Sequence, residues 1–401
     1  MHSPSGAARI CGGKAAPSLP TVQTHAVWRD TAGDAVLAAL EPGVPPDLDR
    51  RPDVLVVGGG IVGLTTAALC SRAGLGRVTL VERDGLASGA SGGAAAMLTP
   101  GAHVWTDPPP FVELARDSLG LLRALDEEWE GAVGVEPVDW LVALPQAIPL
   151  DTDLGPLVDV LDADGARDAE PELGAVPGAV RIRGQARVHP LRLAAALAAR
   201  AGTVATGIEM HDVAVTGNRV VAVRTSRGDF HPGAVVLATG LAPDLPGLHE
   251  LKVPQRWVKG HLLATEPAPF RLRTAVAALE GLVGQFAGGE VMAGGTIDEG
   301  DDDPAVRDDV IADIRNGLAK LLPRTAGLAT EHAWCCFRPT TGDEQPVIDR
   351  VPGLENAWVT CGHFRTGILM AAATGDAVSR WIATGEKPAE VEAFTLARFG
   401  G

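Results

Sequence analysis

The amino-acid sequence predicts an α/β fold in which a first domain, built on a parallel sheet, is interrupted by a second domain of α+β type. Three observations lead to this prediction. A strand, a helix and a second strand follow one another between residues 53 and 82, and strand-like and helical patterns mix in the middle of the chain. The chain also has 401 residues, which is more than one hydrophobic core usually serves, so we expect about two domains.

Composition excludes several classes of protein. With 46% hydrophobic and 21% charged residues the chain is typical of a folded protein, and no apolar run approaches the ~18 residues of a membrane-spanning helix. A net charge of -16 disfavours nucleic acid as a partner. The N-terminus lacks the apolar segment of a secretory signal. We therefore expect a soluble, cytoplasmic protein without membrane insertion, and the sequence leaves homo-oligomerisation open.

The cysteines do not predict a structural framework. Cys11, Cys70, Cys335, Cys336 and Cys361 form neither CxxC pairs nor an even set. This pattern argues against structural disulfides and against a zinc site, so we expect no metal.

The first elements of the chain are the most clearly predicted. Residues 1–47 are rich in Pro, Gly and Ala, and we interpret them as an extension that lies on the fold or trails from it. "DVLVV", residues 53–57, is typical of a buried parallel strand. A helix follows and ends at Gly74, and "RVTLVE", residues 77–82, is the second strand.

Later elements are predicted from the same periodicities. Helical patterns occupy residues 111–129, 189–201 and 305–322, and strand-like runs occupy residues 220–225, 234–239, 258–265 and 357–361. Asp303 is the expected N-cap of the third helix, with Pro304 at its first position. The preceding acidic run, residues 298–303, has the wrong spacing for a calcium loop, so we interpret it as a solvated loop.

The turn between the first strand and helix carries a dinucleotide-binding fingerprint. Gly58, Gly60 and Gly63 have GxGxxG spacing, and they follow a strand and open a helix. Gly58 permits a tight turn, Gly60 lets a pyrophosphate approach the backbone, and Gly63 allows close packing of helix on strand. Glu82 ends the next strand, 82 − 58 = 24 residues later, where a carboxylate can accept the ribose hydroxyls.

A second motif, "GASGG" at residues 89–93, matches the GxSxG pattern of hydrolases. A nucleophile elbow needs a strand directly before the serine, but here the strand has ended at Glu82 and turn-like residues intervene. We therefore interpret the loop from Ser88 to Ala94 as one whose small residues bring backbone amides to a cofactor, with Ser91 as part of it.

These segments resemble the D-amino-acid oxidase (DAO) superfamily of FAD enzymes. The resemblance runs from about residue 53 to residue 385, and "VKGHLLAT", "GGTIDEG", "CFRPTTGDEQPVID" and "TCGHFRTGILMAAATGDAVSRWI" are similar, in order, to segments of glycine oxidases. It implies an FAD-binding Rossmann-like domain of the glutathione reductase type, formed by residues 48–105, 180–247 and 330–401. Residues 106–179 and 248–329 would form the substrate domain, with a mixed or antiparallel sheet.

The resemblance also implies an activity. An amine next to a carboxylate would be oxidised, hydride would pass to flavin N5, and the imine would be hydrolysed, with O2 as the expected electron acceptor and H2O2 as its product. Arg338 would bind the substrate carboxylate, and a planar guanidinium suits that role. Arg365 and His363 would lie beside the ring and the substrate, at the start of a helix whose N-terminal amides face the flavin.

Taken together, fingerprint and resemblance give a set of expected cofactor contacts. They are Gly58, Gly60, Ile61, Val62, Gly63, Glu82, Arg83, Ser88, Ala90, Ser91, Gly92, Ala94, Met97, Gly240, Cys336, Gly362, Gly367 and Ile368.

Three departures from the family pattern bear on the chemistry. The chain has no tyrosine, and Leu282 stands where glycine oxidases hold the carboxylate with one, which favours a larger or N-substituted amino acid. Cys336 falls where sarcosine oxidases attach FAD, so we hypothesise a thioether there, the alternative being a buried apolar thiol. Met292 stands near the place of the oxygen-activating lysine.

Two alternatives to an oxidase stay open at this point. One is a dehydrogenase of the same superfamily that passes electrons to an acceptor other than oxygen. The other is a flavin-binding protein without catalytic activity.

Overall fold

A computed structural model describes residues 27–244, 246–248, 251–278 and 281–400. Its α-helices are α1 (Val27–Ala32), α2 (Asp34–Ala39), α3 (Ile61–Arg72), α4 (Pro109–Glu128), α5 (Ala163–Ala169), α6 (Pro190–Ala198), α7 (Asp308–Leu321) and α8 (Gly367–Thr384). Short 3₁₀ helices span Pro100–His103, Pro246–Leu248, Pro323–Thr325, Ala389–Phe394 and Leu396–Phe399.

The described strands form three sheets. They are β1 (Val54–Val57), β2 (Val78–Glu82), β3 (Met97–Leu98), β4 (Glu136–Ala143), β5 (Val158–Asp162), β6 (Gly178–Arg187), β7 (Thr203–Thr206), β8 (Met210–Thr216), β9 (Arg219–Thr225), β10 (Ala234–Gly240), β11 (Gln255–Pro267), β12 (Thr274–Ala278), β13 (Gly281–Gln285), β14 (Glu290–Gly294), β15 (Thr330–Thr341), β16 (Val347–Arg350) and β17 (Ala357–Cys361). This arrangement confirms the predicted fold class.

The six-stranded sheet has the order β16-β17-β10-β1-β2-β7, and every pair in it is parallel except β16 with β17. Its strands are short apolar runs because both faces are covered. Alternate residues of β1 face opposite sides: Val54 and Val56 pack with helices α3 and α8, whereas Leu55 and Val57 pack beneath the β8–β9 hairpin.

The nine-stranded sheet has the order β15-β11-β14-β13-β12-β4-β6-β3, with β5 also paired to β6. It is mixed, since β12 and β4 are parallel and their neighbours antiparallel. An apolar cluster that includes Leu141, Leu263 and Val283 on the sheet and Ile314 and Leu318 on α7 covers one face.

Strands at two of the expected domain boundaries belong to the nine-stranded sheet. Strands β6 and β15 begin the ranges 180–247 and 330–401 expected for the first domain, yet both belong to the nine-stranded sheet. The division into two domains stays a prediction.

Two local predictions were wrong. Helix α7 begins at Asp308 with Arg307 as N-cap, not at Pro304 with Asp303 as cap. The acidic run before it is not simply solvated, because Asp298 and Asp301 bind the fully buried side chains of His261 and Lys259. Burial of two basic side chains requires carboxylate partners. Because Asp298 and Asp301 are held in these contacts, the loop continues beyond Asp303 and α7 begins only at Asp308.

Candidate active site

A cavity of about 1210 Å³ lies between the two large sheets. Its walls come from the turn after β1, the loop after β2, the end of β10, strands β11 and β15, and the start of α8. Pockets for small molecules usually measure ~300–1,000 Å³, so this cavity has room for a dinucleotide together with a small substrate.

The glycine fingerprint shapes one end of the cavity. Gly58 has φ +112°, and a side chain there would overlap the carbonyl of Ala238 on the neighbouring strand. A Cβ at Gly63 would overlap the carbonyl of Gly58, so this glycine allows α3 to pack against the turn. Gly60 instead faces open space, where a Cβ would meet only Ser91 Oγ at 3.5 Å. The backbone is therefore accessible to a ligand at the position where the fingerprint places a pyrophosphate.

Ser91 serves the start of helix α3. Its Oγ accepts a hydrogen bond from the backbone N–H of Ile61 at 3.0 Å, while Gly60, the N-cap, provides no side chain. The serine thus takes up one of the N–H groups that a helix leaves unpaired. This contact agrees with the interpretation of the loop as a backbone element of the site and gives Ser91 no base partner.

Glu82 lies at the end of β2, beside the fingerprint. Its Oε2 accepts the N–H of Gly59 at 2.6 Å and its Oε1 accepts that of Asp84 at 2.9 Å. Burial raises the pKa of this carboxyl group, although both N–H groups oppose the shift. Each carboxylate oxygen has a second lone-pair site, so Glu82 still has acceptors for two hydroxyl groups.

Arg338 brings a positive charge to the cavity from β15. Its guanidinium lies against the Cα of Gly260, where any Cβ would overlap it, and Nη1 donates to the carbonyl of Thr296 at 2.8 Å. No carboxylate of the described residues forms an ion pair with it. A guanidinium held in place yet without an anionic partner is suited to binding a carboxylate.

Cys336 lies two residues before Arg338 and packs against Gly93 of the loop after β2. Burial raises the pKa of its thiol, and the charge of Arg338 opposes this shift. Leu282 lines the same cavity, so an apolar side chain does stand where the family pattern has a tyrosine. Met292 lies fully buried in the core instead.

The segment before α8 supplies the remaining predicted catalytic residues. Arg365 is exposed at the cavity and its guanidinium lies 5.2 Å from the ring centre of Phe364. His363 is buried, its Nε2 lies 3.1 Å from Thr374 Oγ1 of α8, and burial lowers its pKa to about 4. Its ring is therefore neutral at pH 7 and is held by the helix.

All the predicted site residues except Gly63 and Gly362 line this one cavity. The lining residues predicted from the sequence are Gly58, Gly60, Ile61, Val62, Glu82, Arg83, Ser88, Ala90, Ser91, Gly92, Ala94, Met97, Gly240, Cys336, Arg338, His363, Arg365, Gly367 and Ile368. Gly63 and Gly362 do not line the cavity but contact residues that do. Gly63 packs against Gly58, and Gly362, with φ +70°, donates its N–H to the carbonyl of Gly240 at 2.8 Å. Their individual roles stay predictions.

A histidine at the cavity was missed from the sequence. His103 lines the wall, and its Nδ1 lies 2.9 Å from Asp107 Oδ2, with both side chains nearly buried. Burial lowers the pKa of His103, as does the nearby charge of Arg365, whereas Asp107 opposes the shift. Its Nε2 has no hydrogen-bond partner within the described ranges. In the sequence, only the i,i+4 spacing of His103 and Asp107 could have indicated that the two side chains form a pair.

Two residues of the cavity wall have a buried polar atom without a hydrogen-bond partner. Thr360 Oγ1 and Trp257 Nε1 are buried without a hydrogen-bond partner in the part of the chain that the structure describes, and both residues line the cavity. Native proteins rarely leave such groups unpaired. The features of the cavity that fit an adenine dinucleotide are the open backbone at Gly60 and the acceptors of Glu82.

Comparison with known proteins agrees with this geometry. The family model described as DAO, FAD dependent oxidoreductase, matches residues 53–381. The glycine oxidase of Pseudomonas aeruginosa is 32% identical over 338 residues, which cover 80% of this chain and 92% of that protein. A hydrogen cyanide synthase subunit, HcnC, of the same organism is 28% identical and covers 88% of this chain and 97% of its own.

Solved structures show the same fold. The crystal structure of glycine oxidase from Geobacillus kaustophilus superposes with a TM-score of 0.79 at 29% identity, over 88% of this chain and 100% of that one. The L-proline dehydrogenase from P. horikoshii also reaches a TM-score of 0.79, at 20% identity, over 88% of this chain and 98% of that one.

Within the described ranges, no helix combines the length and the apolar character that crossing a membrane requires.

Proposed function

Since the chain belongs to the DAO family of FAD-dependent oxidoreductases, we propose that it oxidises the C–N bond of a small amino acid or an N-substituted glycine. One observation carries this proposal: the unpaired guanidinium of Arg338 lies in the same cavity as the glycine fingerprint. A carboxylate bound at Arg338 would therefore bring its neighbouring amine into the cavity that holds the cofactor.

The cofactor is FAD, and the residues present fit it. Gly58 and Gly60 offer backbone to the pyrophosphate, Glu82 offers acceptors to the ribose, and the start of α8 at Gly367 offers N–H groups to the ring. The chemistry that bound FAD supplies is two-electron acceptance from the substrate, with O2 as the proposed final acceptor and H2O2 as its product.

The chain's own groups bind and orient the substrate. Arg338 makes a bidentate contact to the carboxylate, and fixing a substrate in the reacting orientation is a large part of what such a protein contributes. The cavity wall at Leu282 is apolar, which supports a substituent on the substrate rather than free glycine. After release, water hydrolyses the imine to a carbonyl compound and ammonia or an amine.

His103 provides a place for the amine's proton. With Nδ1–H donated to Asp107, the neutral ring leaves Nε2 as an acceptor. An amine must lose its extra proton before its lone pair can assist C–H cleavage, and a positioned neutral imidazole removes that proton. Burial lowers the pKa of His103 and so favours the neutral ring, and the charge of Arg365 adds to this shift.

Aerobic and anaerobic turnover test the proposed function. We expect a panel of small amino acids and N-substituted glycines to bleach the flavin anaerobically, and the same substrates to release H2O2 in air. Bleaching with little peroxide would favour the dehydrogenase alternative. A flavin that no amine of the panel bleaches would refute the proposed activity and favour a non-catalytic flavoprotein.

A further inference from the structure

Residues 27–43, here called the N-terminal segment, lie before β1 and outside the range 53–381 that the family model matches. They form helices α1 and α2. Trp28 is 1% exposed and Leu40 is 3% exposed, so the segment is packed into the fold rather than trailing from it. Residues 1–26 of the predicted extension lie outside the described residues.

Trp28 joins the N-terminal segment to the loop that lines the cavity. Its Nε1 donates to the carbonyl of Ala94 at 2.9 Å. The indole also meets Phe286 edge-on at 4.5 Å and His189 at 5.0 Å between ring centres. Such aromatic contacts stabilise a fold by more than the apolar area they bury. Trp28 therefore links the loop at Ala94 to Phe286, which follows β13, and to His189, which precedes α6.

A second set of hydrogen bonds holds the far end of the segment. The carbonyl of Leu40 accepts the N–H of Leu86, 2.8 Å away, in the loop after β2. Gly43 and Thr206 exchange two bonds, from Gly43 N–H to Thr206 Oγ1 at 3.0 Å and from Thr206 N–H to the Gly43 carbonyl at 2.9 Å. The segment is thus tied to both elements that flank Glu82.

These anchors bring three side chains to the cavity. Arg29, Leu40 and Glu41 line it, and Glu41 lies against Gly85, three residues after Glu82. Arg29 and Glu41 form an ion pair of 3.8 Å. Because Glu82 marks the ribose position, these side chains stand at the adenosine end of the cavity. Ile208 and Met210 also line the cavity.

We propose that the N-terminal segment completes the FAD site by closing its adenosine end. Adenine has two apolar faces and polar edges. Leu40 packs against the ring, the guanidinium of Arg29 covers it from the solvent side, and Trp28 keeps the loop with Ala94 in the position that the bound dinucleotide requires. The segment therefore acts on cofactor retention, and this inference rests on FAD binding and not on the identity of the substrate.

Titration of the deflavinated full-length protein with FAD tests the inference. We expect Arg29→Ala to raise the Kd for FAD roughly tenfold, which corresponds to about 1.4 kcal/mol. ADP, which carries only the adenosine half, should lose potency as a competitor by a similar factor. Arg116→Ala is the matched control, because Arg116 is an exposed arginine of α4 that does not line the cavity.

Trp28→Phe gives a second, independent variant. It keeps an aromatic ring and removes the hydrogen bond to Ala94, so the Kd for FAD should rise while the circular dichroism of the apoprotein stays that of the wild type. Equal Kd values in Arg29→Ala, Arg116→Ala and the wild type would overturn the inference, as would a rise for FAD without one for ADP. Failure of the proposed amine oxidation would instead appear as unbleached flavin with these Kd differences intact.

Discussion

At the scale of single residues, substrate binding depends on a charged side chain that has no partner of opposite charge. Most arginines of the described chain form ion pairs or donate to carbonyls at the surface, and such contacts contribute little. Arg338 differs because its guanidinium is half-buried, positioned by Gly260 and Thr296, and free of any acidic partner among the described residues.

Arg338→Ala should weaken binding of the substrate carboxylate without removing the cofactor. Loss of a charge-assisted contact costs about 3 kcal/mol, so we expect kcat/KM for an amino acid to fall roughly 100-fold. Flavin content and visible spectrum should stay those of the wild type. Steady-state kinetics with Arg116→Ala as control measure this, and a variant with unchanged kcat/KM would exclude Arg338 from substrate binding.

His103 should produce an acid limb in the rate of flavin reduction. Burial lowers the pKa of this imidazole below 6.5, so the rate at saturating substrate should be constant at neutral pH and fall as the pH drops through the lowered value. His103→Asn should reduce the rate and remove this limb. Asp107→Asn should move the limb to lower pH, because Asp107 stabilises the imidazolium.

Stopped-flow reduction across the acid range measures these three profiles. The same limb in His103→Asn as in the wild type would assign the titration to another group.

Among the helices and strands, those that depend on neighbouring residues were predicted from the sequence. The β1–α3–β2 unit was predicted within a residue or two, because its apolar strands, glycine turn and helix all depend on neighbouring positions. A helix was also expected to start at His363 and Arg365, and α8 begins at Gly367. The cofactor end of the site followed from this unit, since Gly58, Gly60 and Glu82 lie on it.

Several other elements were missed or misplaced. Strands β4, β5 and β6 were not predicted. The start of α7 was misplaced because Asp298 and Asp301, in the acidic run before it, bind the buried side chains of His261 and Lys259. His103 and the N-terminal segment were also missed as parts of the site. Their part in the site exists only once the chain is folded.

Helix α8 also makes the fold sensitive to acid. Burial lowers the pKa of His363 to about 4, below the ~6.5 of an unfolded histidine. Between these values the unfolded chain binds the proton and the folded protein does not, so stability is lost as the pH falls from 6.5 towards 4. The shift corresponds to about 3 kcal/mol for this residue.

Urea unfolding at a series of pH values measures this loss. His363→Asn should show a correspondingly smaller loss between pH 6.5 and 4, whereas His211→Asn, which changes an exposed histidine, should behave as the wild type. Identical pH dependence in all three proteins would contradict the assignment to His363.

At the scale of the whole molecule, the two large sheets each bring one half of the site. The six-stranded sheet carries the fingerprint and Glu82, and the nine-stranded sheet carries Cys336, Arg338 and Leu282. Contact between the halves is direct, since Cys336 packs on Gly93 and Trp334 Nε1 donates to the carbonyl of Gly93 at 3.0 Å.

The hypothesised thioether would link these halves through the cofactor. Cys336 lines the cavity, which supports the hypothesis, while its raised pKa keeps the thiol protonated in the absence of a ligand. Acid precipitation of the purified protein distinguishes the two states: a covalent link predicts a yellow pellet. Flavin recovered wholly in the supernatant, from the wild type as from Cys336→Ala, would exclude the link.

One cavity is proposed to hold FAD and, at Arg338, the carboxylate of an amine. Anaerobic titration with N-methylglycine and with dimethylamine, which lacks only the carboxylate, tests this claim most directly. N-methylglycine should bleach the flavin of the wild type and dimethylamine should not, while Arg338→Ala should lose the response to N-methylglycine. Equal bleaching by both amines would contradict binding of the carboxylate at Arg338. A flavin that no amine of the wider panel bleaches would contradict the proposed oxidation.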